Sequence, residues 1–114
     1  MTKARQALGA AGEARAAAWY ERRGYEVVAR NWRCRDGELD LVVRKGRVLA
    51  FVEVKTRRTA AFGAPVEAIT RDKQRRIRVL ALRFLEVHPG RGRELRFDVV
   101  SILGDELTVL EGAF

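Results

Sequence analysis

A single cysteine, Cys34, stands among 114 residues, so neither an internal disulfide nor a cysteine-built zinc site can form, and a reducing compartment is expected. With one histidine, His88, any metal must sit on oxygen ligands. The longest apolar runs, residues 48–52 and 79–82, fall far short of the ~18 residues a membrane span needs. Lys3, Arg5, Glu13 and Arg15 interrupt any signal-peptide core. A cytoplasmic protein with no membrane contact is the expectation. Only two prolines among 47% hydrophobic residues argue against disorder, and the length leaves room for one domain, residues 1–114.

Acidic charge is also short: 15 acids face 23 bases, a net charge of +8, and 19 of the bases are arginine. Planar guanidinium forks suit phosphate and carboxylate. Either a bias of composition or selection for a polyanion produces such a count, and the location of the arginines decides between them.

Residues 2–23 are rich in alanine and straight side chains and stop at Gly24, which predicts a first helix. Strands are predicted over 25–32, 38–44 and 47–56, with turns at 34–37 and at Lys45, Gly46. The third carries apolar residues on both parities, the mark of burial on both faces. After a loop over 57–65, Thr70 caps a second helix reaching about His88, on which Ile77, Leu80, Ala81, Phe84 and Leu85 recur at helical spacing. Strands over 94–103 and 106–111 close the chain around the hairpin dipeptide Gly104, Asp105. The order αβββαββ predicts an α/β domain with a mixed central sheet flanked by helices.

The third strand ends in Glu53, Val54, Lys55, and charges at the end of a dry strand are costly. With a turn at Lys45, Gly46, Asp40 falls opposite Phe51. Alternation then sends Asp40, Glu53 and Lys55 to one side, the two acids as diagonal neighbours. Two carboxylates about 4 Å apart repel by roughly 4 kcal/mol at an effective dielectric of 20, which a divalent cation reverses into attraction. Spacing alone leaves two readings open: a magnesium or manganese site, or Glu53 paired with Lys55 beside a solvated Asp40.

Asp40, twelve residues, then Glu53, Val54, Lys55, preceded by a helix carrying Glu13, resembles the PD-(D/E)XK nuclease pattern. The stretches Gly12, Glu13; Arg30 to Arg33; Gly37 to Val42; Phe51 to Arg57; Phe62, Gly63; Lys73, Gln74; and Phe97 to Val99 resemble the bacterial YraN family. That family is described as uncharacterised and nuclease-like, and is similar to archaeal Holliday junction resolvases. The resemblance implies a restriction-endonuclease-like three-layer core and a metal-dependent endonuclease acting on nucleic acid, with structured or branched DNA as substrate and a homodimer by analogy. It implies Mg2+ or Mn2+ held by Asp40, Glu53 and Glu13, with Lys55 serving the attacking water or the developing charge. Leu39 stands where the superfamily name has proline, a change that touches packing alone. The alternative is a nucleic-acid-binding module or assembly factor that keeps the fold and turns over little.

Arg71, Arg75 and Arg78 form one stripe of the second helix, flanked by Lys73 and Arg76, and Arg57 and Arg58 follow the third strand. Arg57, Arg58, Arg71, Lys73, Gln74 and Arg75 are the candidates for phosphate contact; a solvated charged face is the competing reading. Trp19, Tyr20 and Trp32 are expected to pack in the core and on the sheet rather than to stack on bases.

Overall fold

The computed structural model describes residues 3–57, 69–90 and 93–114. Seven elements follow in the expected order: α1 (Lys3–Arg22), β1 (Glu26–Cys34), β2 (Gly37–Lys45), β3 (Val48–Arg57), α2 (Arg71–Val87), β4 (Glu94–Leu103) and β5 (Glu106–Leu110). The strands form one mixed sheet in the order β1-β2-β3-β4-β5. β1, β2 and β3 are an antiparallel meander. The crossover through α2 lays β4 parallel to β3, and β5 returns antiparallel to β4.

The parity of β3 sets the layers. Ala50 and Val52 pack with Ala16, Ala17 and Tyr20 of α1. Leu49 and Phe51 pack with Ile77, Leu80, Ala81 and Phe84 of α2. The helices therefore cover opposite faces, which is why β3 reads as apolar on both. Phe84 is fully buried and meets Trp32 and Phe51 edge-on, with centroids 5.4 and 5.8 Å away. Truncating it to alanine would cost about 3 to 5 kcal/mol. The expected packing roles of Trp19, Tyr20 and Trp32 hold: Tyr20 is fully buried and the two tryptophans line the two clusters.

Helix starts and stops follow local chemistry. Thr70 caps α2, its hydroxyl accepting from the Lys73 N–H at 3.1 Å. α1 runs out at Gly24, whose φ of 85° suits a residue without a side chain. Gly12 lets α1 approach β3, since a Cβ there would collide with Thr56 Oγ1 and meet Ile102 Cδ1 at 3.4 Å. Arg15 then fastens α1 to the β4–β5 turn, donating to the carbonyls of Gly104 (3.0 Å) and Asp105 (2.8 Å). Among the described residues, no helix is long and apolar enough to cross a membrane.

One sequence expectation is corrected. The β2–β3 register pairs Lys45 with Val48, Arg44 with Leu49 and Val42 with Phe51, not Arg44 with Arg47 and Asp40 with Phe51. The turn residues are Gly46 and Arg47, with Gly46 at a φ of 59°, where a side chain would be strained. The glycine thus opens the turn instead of closing it, and the register moves by two residues. An even shift preserves faces and carries Asp40 from a diagonal position to the level of Glu53, one step past Leu41↔Val52.

Candidate active site

The antiparallel ladder between β2 and β3 reaches Leu41↔Val52, whereas β3 stays paired with β4 as far as Arg57↔Leu103. Asp40 and Glu53 stand just past the last β2–β3 pair. There the Val54 N–H donates to Asp40 Oδ2 at 2.9 Å. A side-chain oxygen takes the place of a ladder carbonyl and fixes one side of the Asp40 carboxylate.

Alternation breaks at this level on two strands. Leu39 and Val42 both pack in the α2-side cluster, while Leu41 and Val43 pack on the α1 side. On β1, Ala29 and Trp32 likewise share the α2 side although three residues apart. Between them lies Asn31, whose φ of 48° is the one positive value outside glycine among the described residues. Non-glycine residues in that region cost of order 1 kcal/mol or more and cluster at functional sites. The register from Arg30↔Leu41 to Trp32↔Leu39 sets Asn31 opposite Asp40, and its side chain hydrogen-bonds the Glu13 carboxylate of α1.

The electrostatics follow from this crowding. Burial and then the neighbouring Glu53 push Asp40 up to about 7, against the opposing bond from Val54, with Glu13 and Glu38 adding smaller repulsions. Burial also raises Glu13, against its Asn31 bond and together with repulsion from Glu38 and Glu53. Two lysines answer the acids. Lys73 Nζ lies 2.6 Å from Glu53 Oε1, and Lys55 Nζ lies 3.9 Å from the same oxygen. Burial and the neighbouring Lys73 weaken the hold of Lys55 on its proton. For Lys73 burial acts the same way, but its close contact with Glu53 outweighs it and raises its pKa.

The structure thus brings Asp40, Glu53 and Lys55 together and sets Glu13 beside them. Asp40 is half-buried rather than freely solvated, and the closer partner of Glu53 is Lys73, not Lys55. Among the described residues, no group of three or more histidine, cysteine, aspartate or glutamate side chains is gathered closely enough to hold a metal ion. The carboxylate of Glu13 is engaged by Asn31 and that of Glu53 by Lys73.

Basic residues expected to touch phosphate divide into different roles. Lys73 turns into the acidic cluster. Gln74 Nε2 donates to the Ile69 carbonyl at 3.2 Å and steadies the entry to α2. Arg71 is exposed at the helix start, and exposed Arg75 pairs with Asp72. Arg78 leaves the stripe to lie over the rings of Phe97 and Phe114, 4.9 and 5.6 Å from their centroids. Arg57 is half-buried at the end of β3, its carbonyl accepting from the Gly104 N–H; Arg58 and the segment 58–65 lie outside the described residues.

Sequence reasoning gave no role to two features that the fold makes prominent. Asn31 carried a signal only as a turn-type residue inside a strand. Asp98, fully buried on β4, accepts from Tyr20 Oη at 2.7 Å, from Arg96 at 2.8 and 2.9 Å and from the Gly112 N–H at 3.0 Å. Its signal was an aspartate flanked by apolar residues, which demands partners. The Asp98 bonds hold the Arg96 guanidinium pKa up, and burial followed by Asp98 raises that of Tyr20.

Residues 12–102 match the model of a family described as uncharacterised, UPF0102. A UPF0102 protein of Beutenbergia cavernae is 57% identical over 101 residues, covering 89% of this chain and 86% of its own. One of Nocardia farcinica is 57% identical over 99 residues, 87% of this chain and 78% of the relative. A more distant one, of Myxococcus xanthus, is 45% identical over 96% of this chain and 90% of its own. With a family match that spans most of the sequence and relatives aligned along nearly their whole length, the chain belongs to the UPF0102 family.

Proposed function

We propose that the protein is a metal-dependent phosphodiesterase of the restriction-endonuclease-like kind, acting on DNA of structured or branched form. The observation that carries this reading is the convergence of Asp40 and Glu53 with Lys55 where the β2–β3 ladder ends. The αβββαββ order and the resemblance of the Asp40, Glu53, Lys55 spacing to the nuclease pattern support it. The donor chemistry fits a hard divalent cation: Asp40 is a carboxylate made reluctant to ionise by burial and by a second carboxylate, a cost that a cation removes. Asp40 and Glu53, with Glu13 beside them, would hold it once Lys73 yields Glu53.

When bound, such a cation would polarise water and offset charge on the phosphate. The chain's own residues do the rest. Val54 fixes the Asp40 carboxylate through its N–H. Lys55, its Nζ 3.9 Å from Glu53 Oε1, serves the attacking water or the developing charge on the phosphate. Exposed Arg71 and Arg75 at the start of α2 are the side chains this reading assigns to a phosphate backbone.

Single-turnover cleavage with Mn2+ over linear, flapped, four-way and RNA substrates tests the reading. Lys55→Met keeps the stem and deletes the amine. It should lower the rate by a factor of about 10² to 10³, as when one transition-state donor is lost, with Mn2+ uptake intact. Equal rates for wild type and Lys55→Met would give the lead to a binding module without turnover.

A further inference from the structure

We infer that Lys73 is a tethered cation of this site: it holds Glu53 until a divalent cation arrives, and the displaced ammonium then takes a phosphate of the nucleic acid, so that metal and polyanion bind cooperatively. The inference rests on the proposed metal reading of Asp40 and Glu53 and adds a device to it.

The two lysines of the cluster differ. Lys55 projects from β3 two residues from Glu53 and stands 3.9 Å from its oxygen, whereas Lys73 comes from α2 and makes the 2.6 Å contact. The Glu53 side chain is 12% exposed and that of Lys73 is 28% exposed. The ammonium thus has a way outward that the carboxylate lacks. The backbone of Lys73 cannot follow: its N–H is held by Thr70 Oγ1 at 3.1 Å, the next N–H by the Thr70 carbonyl at 2.9 Å, and the Gln74 amide by Ile69. Only the four-carbon stem swings, over a radius fixed by the helix.

A divalent cation and an ammonium cannot share Glu53 Oε1 without strong repulsion. Metal uptake therefore costs the Lys73–Glu53 pair and releases Lys73 at the start of α2, beside exposed Arg71, where the helix dipole also favours an anion. Linkage makes the coupling reciprocal: a polyanion that captures Lys73 raises metal affinity by the factor by which metal raises polyanion affinity.

Calorimetric Mn2+ titration of the whole protein, with and without a phosphorothioate-linked DNA duplex that resists cleavage, reads the coupling in wild type, Lys73→Met and Lys73→Arg. Without DNA, Lys73→Met should take up Mn2+ about tenfold more tightly than wild type, as expected when a competing ion-pair partner is removed. The duplex should tighten Mn2+ on the order of tenfold in wild type, not at all in Lys73→Met, and again in Lys73→Arg. Wild type that binds Mn2+ while Lys73→Met binds no more tightly overturns the inference and leaves the metal reading standing. A wild-type affinity indifferent to DNA overturns the delivery of Lys73 to phosphate. If neither protein takes up Mn2+, the metal reading falls and the inference with it. Should Lys73→Met fail to fold by circular dichroism, Lys73→Gln in the same titrations decides.

Discussion

Replacing Asp40 by asparagine should make the protein more stable, and only above pH 4. The carboxyl is pushed from 3.8 to about 7 by burial first and Glu53 second. The folded state therefore binds this proton more tightly than the unfolded chain. Its contribution to stability is fully present below pH 3.8 and is lost as the pH rises through about 7. At 1.36 kcal/mol per pH unit the loss is about 2 to 4 kcal/mol, taking the full displacement as the upper figure. Asparagine keeps an oxygen for the Val54 N–H and carries no charge, so it escapes the loss. Urea unfolding in EDTA at pH steps from 4 to 8 should give equal stabilities for wild type and Asp40→Asn at the acid end. At pH 8 the variant should lead by about 2 to 4 kcal/mol, on the order of 10 °C in melting temperature for a domain this size. Saturating Mn2+ should close the gap, since a ligand at 100 times its Kd adds about 2.7 kcal/mol to the wild type and little to the variant. Parallel pH curves for the two proteins would refute the reasoning, because the carboxyl would then be as comfortable ionised in the fold as in water.

Other perturbations separate packing from chemistry. Gly12→Ala should destabilise by about 1 to 2 kcal/mol despite its gain in helix propensity, because its Cβ meets Thr56; in a Thr56→Ala background the sign should reverse, as read by thermal melting of the double-mutant cycle. Tyr20→Phe removes one donor from the buried Asp98 carboxylate and should cost about 1.5 to 3 kcal/mol in urea, whereas Asp98→Ala strands Arg96 and Tyr20 and should cost about 3 to 5. If Arg75 neutralises a phosphate, Arg75→Ala should flatten the salt dependence of duplex binding by about one unit of slope; an unchanged slope would make this arginine part of a solvated face.

The element order was legible because each element carries its own period. Ile77, Leu80, Ala81 and Phe84 mark one face of α2, and β3 alternates between two apolar clusters. That Glu53 and Lys55 lie on the face of Phe51 follows from the two-residue period of a strand. The partner of Glu53 was not legible, because Lys73 reaches it across the α2 crossover, and helix periodicity says nothing of which strand end a helix start will face. The break in alternation at Asn31 and Asp40 was equally hidden. On β1 it coincides with the positive φ of Asn31, an angle that no local pattern rule anticipates.

The charge balance at the end of the β2–β3 ladder bears on why Asp40 is acidic at all. Glu38 is answered by Arg33 at 3.2 Å, and Glu53 by Lys73. Asp40 faces Lys55 and, less closely engaged, Lys73, and the proton of Lys55 is itself loosened by burial and by Lys73. Without an added cation the cluster can balance in two ways. Either Asp40 takes up a proton, which its upward shift to about 7 favours, or Lys55 stays charged against its burial. Neither helps the fold: asparagine at position 40 would serve Val54 equally well, and a methionine stem at 55 would fill the same strand end. On the proposed reading, a divalent cation would supply two charges at once and let Asp40 ionise. Three side chains that are a liability to the fold alone would become a balanced set beside a cation, which is why the proposed function accounts for them where packing does not.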